Sequence, residues 1–267
     1  MAECALSESN ERKLQQYVTQ NGMEFISTPF SRAAANRLNS MNVPAYKIGS
    51  GECNNYPLLK HIASFGKPLI VSTGMNTIES IRKAVAIFKE YKVPYALLHT
   101  TNLYPTPNHL VRLGAMTEMA EHFPDVSFGL SDHTHSNHAC FGAIALGASI
   151  LERHFTDSMS RKGPDINCSM DEQTCAELIE GSRILAAQRG GKKGVAQEEE
   201  VTVKFAYASV CTIKEVKKGE IFTRDNLWVK RPGTGEILAE HYESILGKMA
   251  TCDIPENVQL ERKNVQL

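Results

Sequence analysis

Two histidines stand where successive apolar runs of the sequence end. His133 lies two residues beyond the run VSFGLS (126–131), and His154 ends the run SILERH (149–154). Imidazoles from neighbouring strand ends can meet at one ion, and a two-histidine site with open positions suits exchangeable Mn²⁺ or Mg²⁺. His135 and His138 share the loop, but alternate residues of a strand point to opposite sides, so we do not expect all three to bind together. The alternative interpretation is a histidine cluster that caps a helix or faces solvent.

A second set of side chains could hold an anion. These ammonium, hydroxyl and amide groups lie at or just beyond the ends of apolar runs: Lys47, Ser50, Ser72, Asn102 and Ser131. Two small-residue turns, IGSGE (48–52) and STGMN (72–76), could offer backbone N–H groups to a phosphate or carboxylate. Serine and glycine at such positions could instead simply begin helices. The convergence of five such residues favours the anion site, and the dinucleotide-binding spacing G-x-G-x-x-G is absent.

Three carboxylates in the same loops, Glu52, Asp132 and Asp165, are candidates for proton transfer. Asp132 could instead orient a ligating histidine. Tyr104 in NLYPTP and the loop RKGPDINCS (161–169) are candidate substrate contacts. Arg231 stands beside Pro232 and is expected to be displayed on the surface, either for binding or as a solvated charge.

The predicted elements that position these residues follow one repeating pattern. An apolar run ends in polar residues, and a helical pattern comes next. The runs are MEFIST (23–28), AYKIGS (45–50), PLIVST (68–73), YALLHT (95–100), VSFGLS (126–131) and SILERH (149–154). Their nearly continuous hydrophobicity predicts strands buried on both faces of a parallel sheet. Strands alternating with helices predict an α/β fold, and a helix is expected at 7–21 before the first run.

Polar residues come directly after every one of these runs, which is typical of the catalytic mouth of a (β/α)₈ barrel. A doubly wound sheet, which uses mainly the strands at its switch point, also fits the rhythm. The convergence favours a TIM-type (β/α)₈ barrel of which six βα units are visible.

The sequence pattern changes after the last βα unit of the predicted barrel. We predict a barrel domain over 1–189, a linker over 190–205, where GGKKGVAQEEE has no periodicity, and a small β-rich domain over 206–267. Trp228, Val229, Leu246 and Ile254 are the expected core of that second domain.

Composition excludes several classes of function. The 267 residues carry 29 Lys+Arg and 30 Asp+Glu, and this near balance argues against a nucleic-acid binder. No apolar stretch reaches the length of a membrane span, and MAECALSESNERK lacks the pattern of a signal peptide. Seven scattered cysteines without a C-x-x-C motif predict reduced thiols in a cytoplasmic protein.

The motifs together resemble the bacterial N-acetylneuraminate (sialic acid) synthases. FISTPF, YKIGSGE, STGMNTIESI, NLYPTP, GLSDHT, LERHF, GPDI and NLWVKRPGTGE occur in that family's order, over essentially the whole chain. The resemblance implies condensation of phosphoenolpyruvate with N-acetylmannosamine to give N-acetylneuraminate and phosphate. It also implies a (β/α)₈ barrel with a C-terminal antifreeze-like (SAF) domain, and a domain-swapped homodimer.

The resemblance also implies roles for individual residues. Glu52 and Lys47 match catalytic positions, with Glu52 a proton-transfer group. His133 and His154 match the ligands of a divalent metal, Mn²⁺ or Mg²⁺. The phosphoenolpyruvate-binding set is Thr28, Lys47, Ser50, Ser72, Asn102 and Ser131. Glu52, Tyr104 and Asp165 match sugar contacts, and Arg231 matches an arginine that the partner's SAF domain inserts over the sugar.

The family's opening E-I-G-x-N-H-x-G motif is not found in these 267 residues. We therefore expect a barrel that lacks its first two βα units and dissolves poorly when expressed by itself. The alternatives in function are a legionaminic or pseudaminic acid synthase, and a truncated, non-catalytic fragment that only dimerises.

Overall fold

The computed structural model describes residues 6–266 and divides into two units, Met1–Gly190 and Gly191–Leu267. In the first unit, five of the six apolar runs form one parallel sheet, which confirms the predicted α/β class. The strands are β1 (Tyr46–Ile48), β2 (Leu69–Ser72), β3 (Tyr95–Thr100), β4 (Ser127–Asp132) and β5 (Ile150–Arg153). They lie in sequence order, each paired in parallel with the next.

The run at 23–28 is not a strand, contrary to prediction. It contributes a single parallel bridge, from Ser27 to Tyr46 at the edge of β1. Pro29, which has no backbone N–H to donate, comes almost at once, and Ser31 already caps the next helix. The run is therefore too short for a ladder of hydrogen bonds.

The helices cover the outer face of the sheet, and several begin at side chains that accept a backbone N–H. They are α1 (Glu8–Gln20), α2 (Arg32–Ser40), α3 (Tyr56–Ala63), α4 (Ile78–Glu90), α5 (Leu113–His122), α6 (His138–Ala145) and α7 (Glu172–Gln188). The helix predicted at 7–21 is α1, with Ser7 as its N-cap. Asn55, Thr77 and Asp171 do the same for α3, α4 and α7.

The pleat of the strands gives the sheet two different faces. Tyr46, Val71 and Leu97 point outwards and pack in the core with helix residues such as Leu59 and Phe88. Their neighbours along the strands, among them Lys47 and Ser72, therefore face the opposite side of the sheet. The inner face therefore carries polar side chains such as Lys47 and Ser72, together with apolar ones such as Ile70 and Leu98.

The sheet is strongly curved. In a flat sheet, strands about 4.8 Å apart would place the first and fifth strands roughly 19 Å from each other. Instead, Nζ of Lys47 on β1 lies 3.4 Å from Oε2 of Glu152 on β5. The sheet curves as the wall of a barrel does, and its inner face becomes concave.

A buried ion pair joins the ends of β4 and β5. Asp132 and Arg153 lie opposite each other in the parallel register, with 3.2 Å between Oδ2 and Nε. The Arg153 guanidinium also donates to the backbone oxygen of Thr134 and to Oδ1 of Asn137, just before α6. Thr134 donates to Asp132 through its backbone N–H and its hydroxyl. The pair therefore fixes both strand ends and the loop after β4.

The second unit has its own core. It contains α8 (Glu200–Ala206), β6 (Ser209–Thr212), β7 (Leu227–Lys230) and α9 (Tyr242–Ile245), with β6 and β7 antiparallel. Trp228 is about half exposed rather than in the core, because β7 turns Leu227 and Val229 inwards. Helix α8 and a 3₁₀ turn at Gln197–Glu199 occupy part of the predicted linker over 190–205.

Within residues 6–266, no helix combines the length and the apolar composition that crossing a bilayer requires.

We predict that Arg153→Met lowers the free energy of unfolding by about 3–5 kcal/mol, because it leaves the Asp132 carboxylate buried without its partner. Urea denaturation followed by circular dichroism measures the loss. The double variant Asp132→Leu/Arg153→Met buries no charge and should recover most of it. Arg183→Met, which removes an exposed ion pair of α7, is the control and should change little. A single variant as stable as the natural chain would contradict the prediction.

Candidate active site

The concave face of the sheet holds a cleft of about 180 Å³ at the carboxyl ends of the strands. Each strand contributes residues that the pleat turns inwards, and Arg153, whose side chain faces the outer side, also borders the cleft. The lining consists of Lys47, Gly49, Ser50, Ser72, Thr100, Asn102, Tyr104, Ser131, His133, Glu152, Arg153 and His154. The cleft therefore brings together eight of the twelve residues to which the family resemblance assigns roles.

One end of the cleft carries an ammonium group among hydroxyls. Nζ of Lys47 donates to Oγ of Ser72 at 2.8 Å and lies 3.4 Å from the Glu152 carboxylate. Burial lowers the pKa of Lys47, and the attraction of Glu152 offsets part of that effect. Ser50 and Ser131 are buried around the same cleft. A cation ringed by hydroxyl donors is an arrangement that binds phosphate or carboxylate.

The other end carries the two imidazoles. The rings of His133 and His154 lie edge to face, with centroids 5.3 Å apart. Tyr104 stacks on His133 at 4.1 Å and meets His154 edge-on at 5.7 Å. The Nδ1–H of His133 donates to the backbone oxygen of Thr101 at 2.9 Å, which directs Nε2 away from that contact. Burial lowers the pKa of His133.

Asp132 does not orient a histidine, as one interpretation of the sequence had it. Its carboxylate faces the outer side of β4 and is engaged by Arg153 and Thr134. The group that orients His133 is the backbone oxygen of Thr101. His135 and His138 contact the backbone oxygen of Asn167 and the Ser136 hydroxyl, respectively, outside the cleft lining.

Four of the twelve residues to which the resemblance assigns roles are not in the cleft lining. Asp165 is at its rim, with Oδ2 3.6 Å from Nδ1 of His154. Glu52 lies on the 3₁₀ turn after β1, where its carboxylate accepts from Nδ2 of Asn55 at 2.6 Å. Thr28 lies beside Gly49, and Arg231 is exposed in the second unit.

Four lining residues, Gly49, Thr100, Glu152 and Arg153, were not predicted from the sequence. Thr100, Ser131 and Glu152 are paired across β3, β4 and β5, so they form one row on the inner face. The sequence did contain a signal for Glu152. It stands two residues before His154, and side chains two residues apart on a strand point to the same face. The ion pair with Lys47 was not readable, since it depends on the curvature of the sheet.

Comparison with known proteins agrees with this architecture. Residues 1–194 match the model of the NeuB family, and residues 207–265 match that of the SAF domain. The chain is 38% identical over 237 residues to the N,N'-diacetyllegionaminic acid synthase of Campylobacter jejuni, spanning 87% of this chain and 70% of that protein. It is 30% identical over 253 residues to the human N-acetylneuraminate-9-phosphate synthase, spanning 94% of this chain and 70% of that protein.

A solved structure shows the same likeness. The N-acetylneuraminic acid (sialic acid) synthetase from Leptospira borgpetersenii superposes with a TM-score of 0.71 at 28% identity, over 74% of this chain and 70% of that one. The relatives are thus synthases of sialic-acid-type sugars, and the predicted SAF domain is confirmed. The family match covers most of the chain, including every residue that lines the cleft. The chain belongs to the NeuB family.

Proposed function

We propose that this chain condenses phosphoenolpyruvate with N-acetylmannosamine and water, giving N-acetylneuraminate and phosphate. The observation that carries the proposal is the cleft itself, in which an ammonium–hydroxyl end and a two-imidazole end share one lining. Phosphoenolpyruvate brings a phosphate and a carboxylate, and the sugar brings an aldehyde. One cleft with two ends of different chemistry can hold both.

The ammonium–hydroxyl end would hold the anionic substrate. Lys47 is the cation, and Ser50, Ser72, Asn102 and Ser131 supply neutral donors around it; Thr28 belongs to the same proposed set. The C3 carbon of phosphoenolpyruvate attacks the aldehyde carbon, C2 becomes electron-poor, and water adds there before phosphate leaves. Because C3 is a weak nucleophile, holding it in line with the aldehyde supplies a large part of the rate.

The imidazole end fits a divalent cation, Mn²⁺ or Mg²⁺. The Nδ1–H of His133 is committed to Thr101, so its Nε2 carries the free lone pair, and the His154 ring lies 5.3 Å away between centroids. When bound, such an ion supplies a Lewis acid for the aldehyde oxygen of the sugar. Tyr104 holds the His133 ring by stacking on it, and Asp165 contacts His154 at the rim. We also assign Glu52, Tyr104 and Asp165 to the sugar, with Glu52 as the proton-transfer group.

A related sugar is the second candidate. The 38% identity to a diacetyllegionaminic acid synthase, and 34% identity over 234 residues to a pseudaminic acid synthase of Campylobacter jejuni, favour a modified acetamido sugar as the aldehyde. The motifs GECNNYPLLK and KGPDINCSMD resemble those of the N-acetylneuraminate branch of the family, which favours N-acetylmannosamine as the sugar.

Turnover assays on the purified chain separate these proposals. We would incubate it with phosphoenolpyruvate, Mn²⁺ and each candidate sugar, and measure released phosphate and the mass of the nonulosonic acid. The proposal requires N-acetylneuraminate as the best product. Faster turnover of a legionaminic or pseudaminic precursor would move the assignment within the family. No product from any sugar would favour a non-catalytic chain that only dimerises.

We also propose a cytoplasmic location. The six cysteines within residues 6–266 are free thiols, and four of them are buried. Cys4 lies outside the described residues. Free thiols are typical of a reducing compartment.

Lys47→Met should raise the KM for phosphoenolpyruvate by roughly 10–100-fold, the cost of losing a charged hydrogen bond. Because burial lowers the pKa of Lys47, affinity should fall as pH rises through a value below that of a free lysine. Lys47→Arg keeps its charge and should move that fall to higher pH. Lys60→Met, on the exposed side of α3, is the control. An unchanged KM in Lys47→Met would contradict the prediction.

His154→Ala should abolish turnover and weaken Mn²⁺ binding by more than the roughly 10–100-fold caused by losing an outer partner of a ligand. Electron paramagnetic resonance of Mn²⁺ reports the binding without any turnover. His138→Ala, in the same histidine-rich part of the chain but outside the cleft lining, is the control. Full Mn²⁺ affinity in the His154 variant would remove the metal assignment.

We propose further that the active form is a domain-swapped homodimer in which Arg231 of one protomer contacts the sugar bound to its partner. This assignment rests on the family resemblance and on the exposure of Arg231. Mixing Arg231→Ala chains with His154→Ala chains should restore part of the turnover, because one site of each mixed dimer is complete. Mixed dimers that stay inactive would mean that Arg231 does not act across subunits.

A further inference from the structure

We propose that Gly74 is a positioning residue for substrate, because the absence of a side chain there sets the orientation of the Asn102 amide and the Ser50 hydroxyl. The proposal deepens the proposed function and rests on it, since both groups belong to the set that would hold phosphoenolpyruvate. Gly74 lies in the turn after β2, between Ser72 and the start of α4.

Space, rather than backbone conformation, requires glycine at this position. A Cβ built on Gly74 would lie 1.8 Å from Oδ1 and 3.0 Å from Cγ of Asn102. It would also lie 2.9 Å from Oγ of Ser50. The φ angle of Gly74 is outside the left-handed region, so alanine can adopt the same backbone. Any side chain at Gly74 must therefore displace the amide of Asn102.

The contact with Gly74 also determines which end of the amide is free. Oδ1 of Asn102 is buried against Gly74 and receives no hydrogen bond from any residue of 6–266. Since the amide is planar, its Nδ2 lies on the other side of Cγ, away from Gly74. Asn102 lines the cleft, so Nδ2 is its N–H donor for an anion there. A buried oxygen without a donor is costly, and proteins retain such groups mainly where function requires them.

The backbone of Gly74 orients Ser50 in the same way. The N–H of Gly74 donates to Oγ of Ser50 at 3.0 Å, which leaves the serine hydrogen free to donate to a ligand. Nδ2 of Asn76 donates to the backbone oxygens of Ser50 and Gly74, at 3.0 and 2.8 Å. The turns after β1 and β2 are thereby joined. Gly74 alone contacts two donor groups of the cleft, the Ser50 hydroxyl and the Asn102 amide.

Gly74→Ala tests this inference, with Gly114→Ala as the matched control. Gly114 is on α5 and has no atom within 4 Å of a built Cβ. Titration calorimetry with phosphoenolpyruvate should show Kd raised roughly 10–100-fold in Gly74→Ala, the range for a lost hydrogen bond to a charged ligand, and unchanged in Gly114→Ala. A Gly74→Ala chain that binds phosphoenolpyruvate as the natural chain does would overturn the proposal.

A double-mutant cycle with Asn102→Ala distinguishes positioning from a general structural effect. Because Asn102→Ala removes the atoms that the new Cβ would strike, the loss in Gly74→Ala/Asn102→Ala should be well below the product of the single losses. Losses that multiply would overturn the proposal. If Gly74→Ala does not fold, Asn102→Ala should restore folding in the double variant, and failure to do so would also overturn it.

The melting temperatures of the four proteins of this cycle, which are the natural chain, the two single variants and the double variant, keep this test separate from the proposed function. Steric coupling between Gly74 and Asn102 should appear in them without any substrate. A natural chain that neither binds nor turns over phosphoenolpyruvate, but whose melting temperatures show the coupling, would refute the proposed function and leave the packing of Gly74 against Asn102 standing.

Discussion

The ion pair between Asp132 and Arg153 is the contact on which the imidazole end of the cleft depends. Both side chains are almost completely buried on the outer side of the sheet, opposite each other at the ends of β4 and β5. His133 and His154 directly follow these two strand ends, and both line the cleft on the inner side. Holding the two charges together outside therefore holds the two rings together inside. Burying a charged pair adds little net stability, so its main contribution here is the relative position of two strand ends.

The same logic of two faces extends over the whole first unit. The outward residues of the strands form the core with the helices, and the inward residues form the cleft. A one-residue shift in the register of a strand would turn its apolar side chains into the cleft and its polar side chains into the core. The site is thus specified by the hydrophobic core, although no core side chain takes part in it.

Much of this could be predicted from the sequence, and the failures have physical reasons. Continuous apolar runs identify the five strands, because burial on both faces leaves few polar positions within them. The run at 23–28 has the same composition, but Pro29 and the early start of α2 leave it no room to pair. The composition of a run does not by itself reveal that a nearby proline and helix cap will cut its pairing short.

Individual contacts were harder to predict than elements. The partner of Asp132 depends on the register between β4 and β5, and the partner of Lys47 depends on the curvature of five strands. Both are properties of the folded sheet that no local pattern reports. Trp228 was expected in the core of the second unit, whereas the alternation along β7 exposes it.

The contact between Lys47 and Glu152 has a consequence for how the cleft takes up charge. A bare ammonium group would collect anions from the solution, and its affinity would vary steeply with salt. Here the lysine already has a counter-ion attached to the protein. An anion that approaches Lys47 therefore competes with this carboxylate for the ammonium group. The charge of Lys47 is balanced in part within the protein, so an anion would gain less from it than from a bare ammonium group.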